Sequence, residues 1–449
     1  MSTAPVVAAA DDRVALEAAV SESLRLARAK GASDAEAGAS MQTGLSVTVR
    51  LGEIETLEYQ RDRGLGVTVY FGKRKGSAST SDLGRAAVAD TVEKACSIAR
   101  FTAEDDCAGL PEERQLARTY PDLDLSHPWA IEPERAIELA RGCEAAALAV
   151  DKRVTNSEGA MLSTHKGLRV FGNTRGFLGG YPSTSHSVSC AVVATQGTEM
   201  QRDYWYTAAR DWQTLEPADA VGRESATRAV ERLGSRKIAT CKAPVLYVPE
   251  LSRGLVRSFV GAVSGGSQYR KSTFLLDAVG ESVFPAFLNI RERPHIPGAL
   301  GSSPFDAEGV STRDRDLVAA GVLQGYVLDT YSARKLGLES TGNAGGIHNL
   351  VVEPGPHDYE GMVRLMDRGL IVTELMGQGV NLVTGDYSRG AAGFWVEGGR
   401  IQFPVHEVTI AGNLKDMLLG IVAAGRDVDL RGAIRTGSLL VEEMTIAGE

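Results

Sequence analysis

Strict two-residue alternation of apolar and polar side chains constrains the fold of this chain more than any other feature. Apolar residues occupy every second position in two stretches: Leu45, Val47, Val49, and then Leu65, Val67, Val69 and Phe71. Alternation with period two is typical of strands that bury one face and leave the other polar. Because the two stretches are close in sequence, they predict neighbouring strands of an antiparallel meander.

Helical patterns flank these predicted strands. Apolar residues recur at spacings of three and four from Asp12 onward, which predicts an amphipathic helix with Asp11 or Asp12 as its N-cap and Gly31 as its stop. A second helix is predicted after residue 82, and its apolar stripe comprises Val88, Val92, Ala95 and Ala99.

The order helix, strands, helix occurs twice. Residues 104–133 are rich in acidic residues and proline, which indicates an irregular connection. A helix is then predicted from Pro133, strands from 154 to 207, and a helix from Pro217 to Leu233. No residue-level identity indicates a duplication, so ordinary alternation of helices and strands is the favoured interpretation.

The last part of the chain is rich in short apolar runs separated by glycine. After a predicted strand at 244–248 and a helix that ends before Gly265, the predicted strands are 322–328, 347–352, 370–373, 393–397, 401–404 and 408–410. Glu397-Gly398-Gly399-Arg400 predicts a tight hairpin. A helix over residues 414–422 is predicted to seal the sheet.

These patterns together predict an α+β protein. Two helix-flanked antiparallel units precede a large β-rich domain with a mixed sheet, and the predicted boundaries are 1–105, 106–240 and 241–449.

Composition excludes several classes of function. The net charge of −9 argues against general binding of nucleic acid or of an anionic membrane. Five cysteines without a Cys-x-x-Cys pair predict reduced thiols and a cytoplasmic location. The N-terminus lacks the basic and apolar regions of a signal peptide, and the nearly uncharged window 176–200 contains Pro182 and many Ser and Gly residues, so no membrane span is predicted.

The sequence contains no motif of a metal site and predicts no catalytic residue. The seven histidines are scattered, and no two are three to five residues apart, the spacing that a zinc-binding helix needs. His406-Glu407 lies in a strand pattern and indicates an edge contact. Ser332 and Lys335 have the Ser-x-x-Lys spacing of some acyl-enzymes, but Ser340-Thr341-Gly342 follows too closely to be the companion motif.

Loops that combine glycine with hydrogen-bond donors point to recognition instead. The chain has 50 glycines, about 11% against a typical ~7%, and many lie between residues 377 and 413. Such loops can hold an extended peptide while an arginine binds a carbonyl or carboxylate. The predicted peptide-binding residues are Arg389, Tyr387, Asp386 and Arg334.

Several of these segments resemble, in order, the PmbA/TldE side of the TldD/PmbA metallopeptidase family. The matching blocks are residues 260–277, which contain Ser-Gly-Gly-Ser-Gln-Tyr-Arg-Lys-Ser-Thr; 331–349, which contain Glu-Ser-Thr-Gly-Asn-Ala-Gly-Gly; 373–380; and 385–397, which begin Gly-Asp-Tyr-Ser-Arg-Gly. The resemblance covers nearly the whole chain.

The resemblance implies a cytosolic heterodimeric peptidase. In that family a TldD-like partner holds a zinc-type divalent metal with a His-Glu-x-x-x-His helix and a cysteine. Here the corresponding positions carry Arg257, Ser258 and Ala262, and no cysteine follows Cys241. The implied role is therefore a metal-free subunit, without a cofactor of its own, that helps to process or degrade unfolded peptides, as in toxin maturation and antitoxin turnover.

Two alternatives remain open at this point. One is a homodimeric module that binds peptides without cleaving them, since a homodimer is possible when the chain is alone. The other is a serine acyl-enzyme that uses Ser332 and Lys335.

Overall fold

The computed structural model describes residues 4–448, and of residues 4–10 the backbone only. The first unit consists of α1 (Ala4–Ala29), β1 (Asp34–Arg50), β2 (Glu53–Phe71), β3 (Arg74–Thr80) and α2 (Arg85–Phe101). The two predicted alternating stretches lie in β1 and β2, which pair in an antiparallel fashion, so this prediction is confirmed. Helix α1 begins at Ala4, several residues before the predicted N-cap, because the alanine-rich run before Asp11 continues the helix.

The second unit follows an irregular connection that holds one short 3-10 helix, Glu113–Gln115. It consists of α3 (Pro133–Leu148), β4 (Val154–Asn173), β5 (Leu178–Gln196), β6 (Glu199–Ala209), a 3-10 turn (Trp212–Thr214) and α4 (Ala218–Glu231). Strands β1 and β4 pair from Glu36↔Asn173 to Val49↔Ala160. The two units therefore share one antiparallel sheet of order β3-β2-β1-β4-β5-β6.

Helices cover one face of this sheet in two pairs. Small and β-branched residues of α1 and α2 pack on Ala35, Ala37 and Val67, while α3 and α4 pack on Val47 and Leu162. The opposite face carries Phe171 and Tyr181, which meet the connecting segment and the C-terminal part of the chain. The ring centroids of Phe305 and Phe177 lie 4.9 Å apart.

The C-terminal part contains many short elements. They are β7 (Cys241–Tyr247), α5 (Pro249–Ala262), α6 (Gly265–Tyr269), β8 (Ile290–Glu292), β9 (Arg315–Ala319), β10 (Val322–Leu323), α7 (Thr330–Lys335), β11 (Leu350–Val352), α8 (Tyr359–Met366), β12 (Gly369–Met376), β13 (Asp386–Glu397), β14 (Arg400–Asn413), α9 (Leu414–Leu419), β15 (Ile421–Ala424), β16 (Ile434–Arg435) and β17 (Leu439–Ala447).

Five of these strands close into a barrel. The order β14-β13-β12-β7-β17 returns to its start through pairing of β14 with β17, as in Ile410↔Ile446. The β12–β7 pairing is parallel and the others are antiparallel, so the sheet is mixed. A smaller sheet of order β10-β9-β8-β11-β16 lies beside it. The α+β prediction with a β-rich, mixed-sheet C-terminal part is confirmed.

Local predictions in this part have mixed outcomes. The predicted hairpin is confirmed, since Glu397 pairs with Arg400 and both Gly398 and Gly399 have positive φ, as its tight turn requires. The helix predicted over 414–422 is formed from Leu414 to Leu419 and is wrong for its last three residues, because it ends at Gly420 and the chain enters β15 at Ile421. The predicted strand 322–328 is formed only at Val322–Leu323.

The division into three domains at residues 105 and 240 stays a prediction. The strands of the first two units form one sheet, so the boundary at 105 separates two halves of the same sheet. Among residues 4–448, no helix is long and apolar enough to cross a membrane.

Candidate functional site

Helix α5 and the barrel form one core. Leu255, Phe259 and Ala262 of α5 belong to the same buried cluster as Tyr247 and Tyr387 of the barrel strands. Pro249 occupies the first turn of α5, where its missing N–H costs nothing. The helix that carries the implied metal positions thus packs in one core with the barrel strands.

The side chains at those positions are poor metal ligands. Arg257 is exposed, Ala262 is fully buried, and the Ser258 hydroxyl donates to the carbonyl of Gly254 at 3.0 Å. A guanidinium repels a cation and a methyl group has no lone pair. Within the described residues, no group of three or more His, Cys, Asp and Glu side chains is arranged to hold a metal ion.

Three predicted peptide-binding residues lie at the start of β13 in different environments. Asp386 is exposed and accepts a hydrogen bond from the Thr384 hydroxyl at 2.6 Å. Tyr387 is buried beside Tyr247, and burial raises the pKa of both phenols while the charge of Arg389 opposes the shift. The Nε atom of Arg389 is buried and has no hydrogen-bond partner among the described residues.

Arg334, the fourth predicted residue, binds backbone of the connecting segment. From the last turn of α7 its guanidinium donates to the carbonyls of Cys107 (3.2 Å), Gly109 (2.9 Å) and Leu110. In the described part of the chain no hydrogen bond joins Arg334 to the residues of β13. The peptide-binding role of these four residues stays a prediction.

The Ser332 and Lys335 side chains are engaged with different carboxylates. Ser332 Oγ donates to Asp329 at 2.5 Å at the N-cap of α7, and Lys335 Nζ donates to Asp105 at 3.0 Å. The hydrogen bond from Lys335 to Asp105 raises the pKa of this lysine, so the amine stays protonated at neutral pH and cannot accept a proton from Ser332. These contacts do not support the serine acyl-enzyme.

His406-Glu407 lies at a bulge of β14. The register of β13 against β14 shifts between Ala391 and Gly393, and Glu407 has φ +56°. Its carboxylate lies 3.8 Å from Lys237 Nζ. The predicted edge contact stays a prediction, since the pair lies within β14 and not at its end.

A cleft of about 300 Å³ opens between the second unit and the barrel. Arg228 and Arg232 lie on one side and pair with Asp203 at 3.3 and 3.5 Å. Glu231 also lines the cleft, and burial raises the pKa of its carboxyl group. The cleft carries both charged and apolar side chains and lies at the junction of the two parts of the chain.

The sequence did not indicate a group of buried and half-buried acids where the first sheet meets the C-terminal part. Burial and the charge of Glu308 raise the pKa of Glu36 to about 7, with Lys75 and the Tyr70 hydroxyl opposing the shift. The same two causes raise the pKa of Asp306 to about 7. These residues are about 270 positions apart in sequence, so no local pattern could have indicated the cluster.

This environment predicts a stabilising effect of Glu36→Gln at high pH. A folded-state pKa of about 7, against an ordinary value of 4.5, means that ionisation of Glu36 lowers stability as pH rises from 4.5 through 7. The neutral amide avoids this cost and can still accept the hydrogen bond from Tyr70. We expect a gain of about 2–3 kcal/mol at pH 8 and almost none at pH 4.5.

Urea unfolding of both proteins at the two pH values measures the effect. The exposed Glu281→Gln is the matched control, and we expect no pH-dependent gain from it. An equal effect of Glu36→Gln at both pH values would contradict the raised pKa.

Comparisons with known proteins agree with the sequence resemblance. Family models described as the PmbA/TldA metallopeptidase domain 1, central domain and C-terminal domain match residues 35–99, 126–233 and 240–448. The chain is 52% identical over 437 residues to the metalloprotease PmbA of Escherichia coli O157:H7, with 97% of each chain covered. It is 47% identical over 434 residues to a PmbA homologue of Haemophilus influenzae, with 96% of each covered.

Solved structures share the fold. A candidate modulator of DNA gyrase from Bacteroides thetaiotaomicron has a TM-score of 0.91 and 27% identity, covering 96% of this chain and 98% of that one. TldE from Thermococcus kodakarensis has a TM-score of 0.85 at 22% identity and covers 96% of this chain and 100% of that one, which supports the fold alone.

Proposed function

The chain belongs to the PmbA/TldA metallopeptidase family, and from this premise we propose that it is the PmbA/TldE-type subunit of a heterodimeric peptidase. In this proposal the chain lines the wall of a peptide cleft, and a TldD-like partner supplies a zinc-type metal. A metalloprotease TldD homologue of Haemophilus influenzae is 22% identical over 403 residues, so a related chain of the second type exists in the family.

The chemistry of α5 is the observation that carries this proposal. At the positions where the resemblance places two histidines and a glutamate, this chain has an exposed cation, a hydroxyl bonded to its own helix, and a buried methyl group. This donor set does not fit a divalent metal. Peptide hydrolysis by a metal would therefore require ligands from another chain.

The peptide-binding part of the proposal rests on Asp386 and Arg389. Asp386 offers an exposed carboxylate to a backbone N–H, and Arg389 has a half-buried side chain whose guanidinium has no hydrogen-bond partner among the described residues. Extended peptides bind through such groups together with the free edges of strands. Tyr387 would orient Arg389 from the barrel interior, and Arg334 would fix the connecting segment. We further propose unfolded cytoplasmic peptides, such as toxin precursors and antitoxins, as substrates.

Mixing experiments test the division of labour. The purified chain, a TldD-like partner and their equimolar mixture are each incubated with an unfolded fluorogenic peptide, with and without a chelator. We expect cleavage only in the mixture, and loss of cleavage with the chelator. Stoichiometric zinc in this chain alone, together with cleavage by it alone, would refute the proposal. Peptide binding without cleavage in the mixture would favour the homodimeric binding module.

Arg389→Ala in the mixture tests the proposed peptide contact. Loss of one charge-assisted hydrogen bond is expected to lower kcat/KM about 10–100-fold. Arg400→Ala, at an exposed position of the hairpin that follows β13, is the matched control and should leave kcat/KM unchanged. Equal activity of the two variants would remove Arg389 from the binding site.

A further inference from the structure

The cleft between the second unit and the barrel has two walls of different chemistry. On one side α4 presents Glu224, Arg228 and Glu231, whose spacing of four and three residues puts them on one helix face. On the other side lie Tyr359, the first residue of α8, and Phe394 of β13. The volume of about 300 Å³ is at the lower end of the range for ligand sites in proteins. One wall is therefore charged and the other aromatic.

Two carboxylates of this cleft lack a cationic partner. Arg228 and Arg232 both pair with Asp203, so their charges are already offset within the wall. Glu224 and Glu231 form no ion pair and no hydrogen bond within residues 4–448. Burial and the charge of Glu224 raise the pKa of Glu231, and the opposing charge of Arg228 does not cancel the shift. The cleft therefore has an excess of negative charge.

The potential at the aromatic wall is negative as well. Burial is the main cause that raises the pKa of Tyr359 to about 12. The charges of Glu231, Asp427 and Glu250 act in the same direction, against the charge of Arg228. The Tyr359 hydroxyl forms no hydrogen bond within the described residues, so its oxygen is free to accept one from a ligand.

A β-bulge places another unpartnered group in the cleft. The register of β12 against β13 shifts between Val372 and Glu374, so Thr373 is the extra residue of the bulge. Thr373 lines the cleft, and its hydroxyl oxygen is buried without a hydrogen-bond partner. Bulges often redirect a side chain beside a functional site, and a buried hydroxyl without a partner is costly. A ligand with an N–H donor would satisfy this oxygen.

We propose that this cleft binds an organic cation, an alkylammonium or guanidinium group on an apolar stem. Glu224 and Glu231 would pair with the charged head, and Thr373 would accept a hydrogen bond from it. The stem would lie along the rings of Tyr359 and Phe394. A metal ion fits less well, since no three ligand side chains in the described part of the chain are arranged to hold one. The site uses none of the residues proposed to bind the peptide substrate, and it does not depend on the role beside a TldD-like partner.

Free polyamines and the Lys or Arg side chains of a peptide share this chemistry, and calorimetric titration of the purified chain distinguishes them. The two probes are spermidine and Nα-acetyl-lysine amide. We expect at least one of them to bind with a Kd in the millimolar range or below, and more weakly as salt is added. Nα-acetyl-norleucine amide has a similar stem without the charge and should not bind.

The double variant Glu224→Gln and Glu231→Gln tests the charged wall. Loss of both carboxylates should weaken binding of the cationic probe about tenfold or more. Glu134→Gln with Glu281→Gln makes the same change of charge at two exposed positions outside the cleft and should leave the affinity unchanged.

Thr373→Val separates a binding role from a structural one. Valine has nearly the shape of threonine but no hydroxyl, so binding should weaken about threefold or more. Because the hydroxyl has no partner in the protein, its loss should leave Tm unchanged or raise it. Equal affinity of Thr373→Val and the native chain would remove this oxygen from the site.

Three outcomes would overturn the proposal as a whole. They are no binding of either cationic probe at about 10 mM, equal affinity of the native chain and the Glu224 and Glu231 double variant, and equal binding of the norleucine and lysine amides. Binding of spermidine alone would support a free polyamine, and binding of the lysine amide alone would support a peptide side chain. Cleavage of a peptide without Lys or Arg by the mixture with a TldD-like partner is a separate measurement, so failure here leaves the proposed function intact.

Discussion

Replacement of Arg431 by alanine is expected to lower the free energy of unfolding by about 3–5 kcal/mol. Arg431 follows β15 and joins the barrel to the second unit. Its guanidinium donates to Asp429, Glu250 and the backbone carbonyl of Tyr206. It also stacks on two aromatic rings, with its central carbon 4.2 Å from the Trp205 centroid and 4.4 Å from that of Tyr206.

The large effect follows from the burial of the partners. The Asp429 side chain is only 2% exposed, and Arg253, 3.4 Å away, would be its one remaining ion-pair partner among the described residues. A buried carboxylate that loses its main partner keeps the cost of desolvation without the attraction that offsets it. Two cation–π contacts are lost as well.

The effect should depend on pH in a defined direction. Burial acts to raise the pKa of Asp429, but the hydrogen bonds from Arg431 and the charge of Arg253 outweigh it, so the pKa is lowered. A lowered folded-state pKa contributes stability above the unfolded pKa, and that stability is lost as pH falls through the folded value. The difference between the native chain and Arg431→Ala should therefore shrink below about pH 4.

Urea and thermal unfolding measured from pH 3 to 8 check this prediction. Arg426→Ala is the matched control, because Arg426 forms an exposed ion pair with Asp358, with side chains 60% and 50% exposed. Such a pair contributes at most about 1 kcal/mol. If the two variants were equally stable, the junction at Arg431 would not be a main source of stability.

Gly393→Ala is expected to disrupt the barrel. A Cβ atom at this position would lie 1.8 Å from the carbonyl oxygen of Ile371 and 2.8 Å from its carbonyl carbon. Both atoms belong to the backbone of β12, which is paired on its two sides with β7 and β13. Strand β12 cannot move away without breaking one of these pairings. We expect a loss of about 3 kcal/mol or more, or a fall in Tm of roughly 3 °C or more for a unit of this length.

Gly254→Ala is the control for this prediction. Gly254 lies within α5, and nothing lies within 4 Å of the position of an added Cβ. Alanine there should stabilise the helix by up to about 1 kcal/mol. Scanning calorimetry and the yield of soluble protein distinguish the two variants. A Gly393→Ala protein with native Tm would show that β12 and β13 are not in this close contact.

The sequence predicted those features that depend on neighbouring residues. The alternation at residues 45–49 and 65–71 predicted β1 and the second half of β2, and Gly398-Gly399 predicted the β13–β14 hairpin. Element ends were predicted less well. The aspartates at 11 and 12 resemble an N-cap, yet α1 runs through them, because a capping residue inside an alanine-rich run costs little helix stability.

The candidate site was predicted only in part. The glycine-rich run identified the segment that holds Asp386, Tyr387 and Arg389, but not that Tyr387 is buried in the barrel core. The alternation of a strand gives two faces and does not indicate which one closes inward. Arg334 was expected at a cleft, whereas its hydrogen bonds run to carbonyls more than 220 residues earlier in the chain.

By itself, the sequence determined the local elements, the turn chemistry and the family, because period, capping and motif order are properties of adjacent residues. Only the tertiary structure decided that β1 pairs with β4 to merge two units into one sheet, and that β14 meets β17 to close the barrel. It also decided which charges lie close together, as at Glu36 and Glu308. These features depend on pairings between distant segments, whose free energy comes from burial and complementary edges that no local pattern specifies.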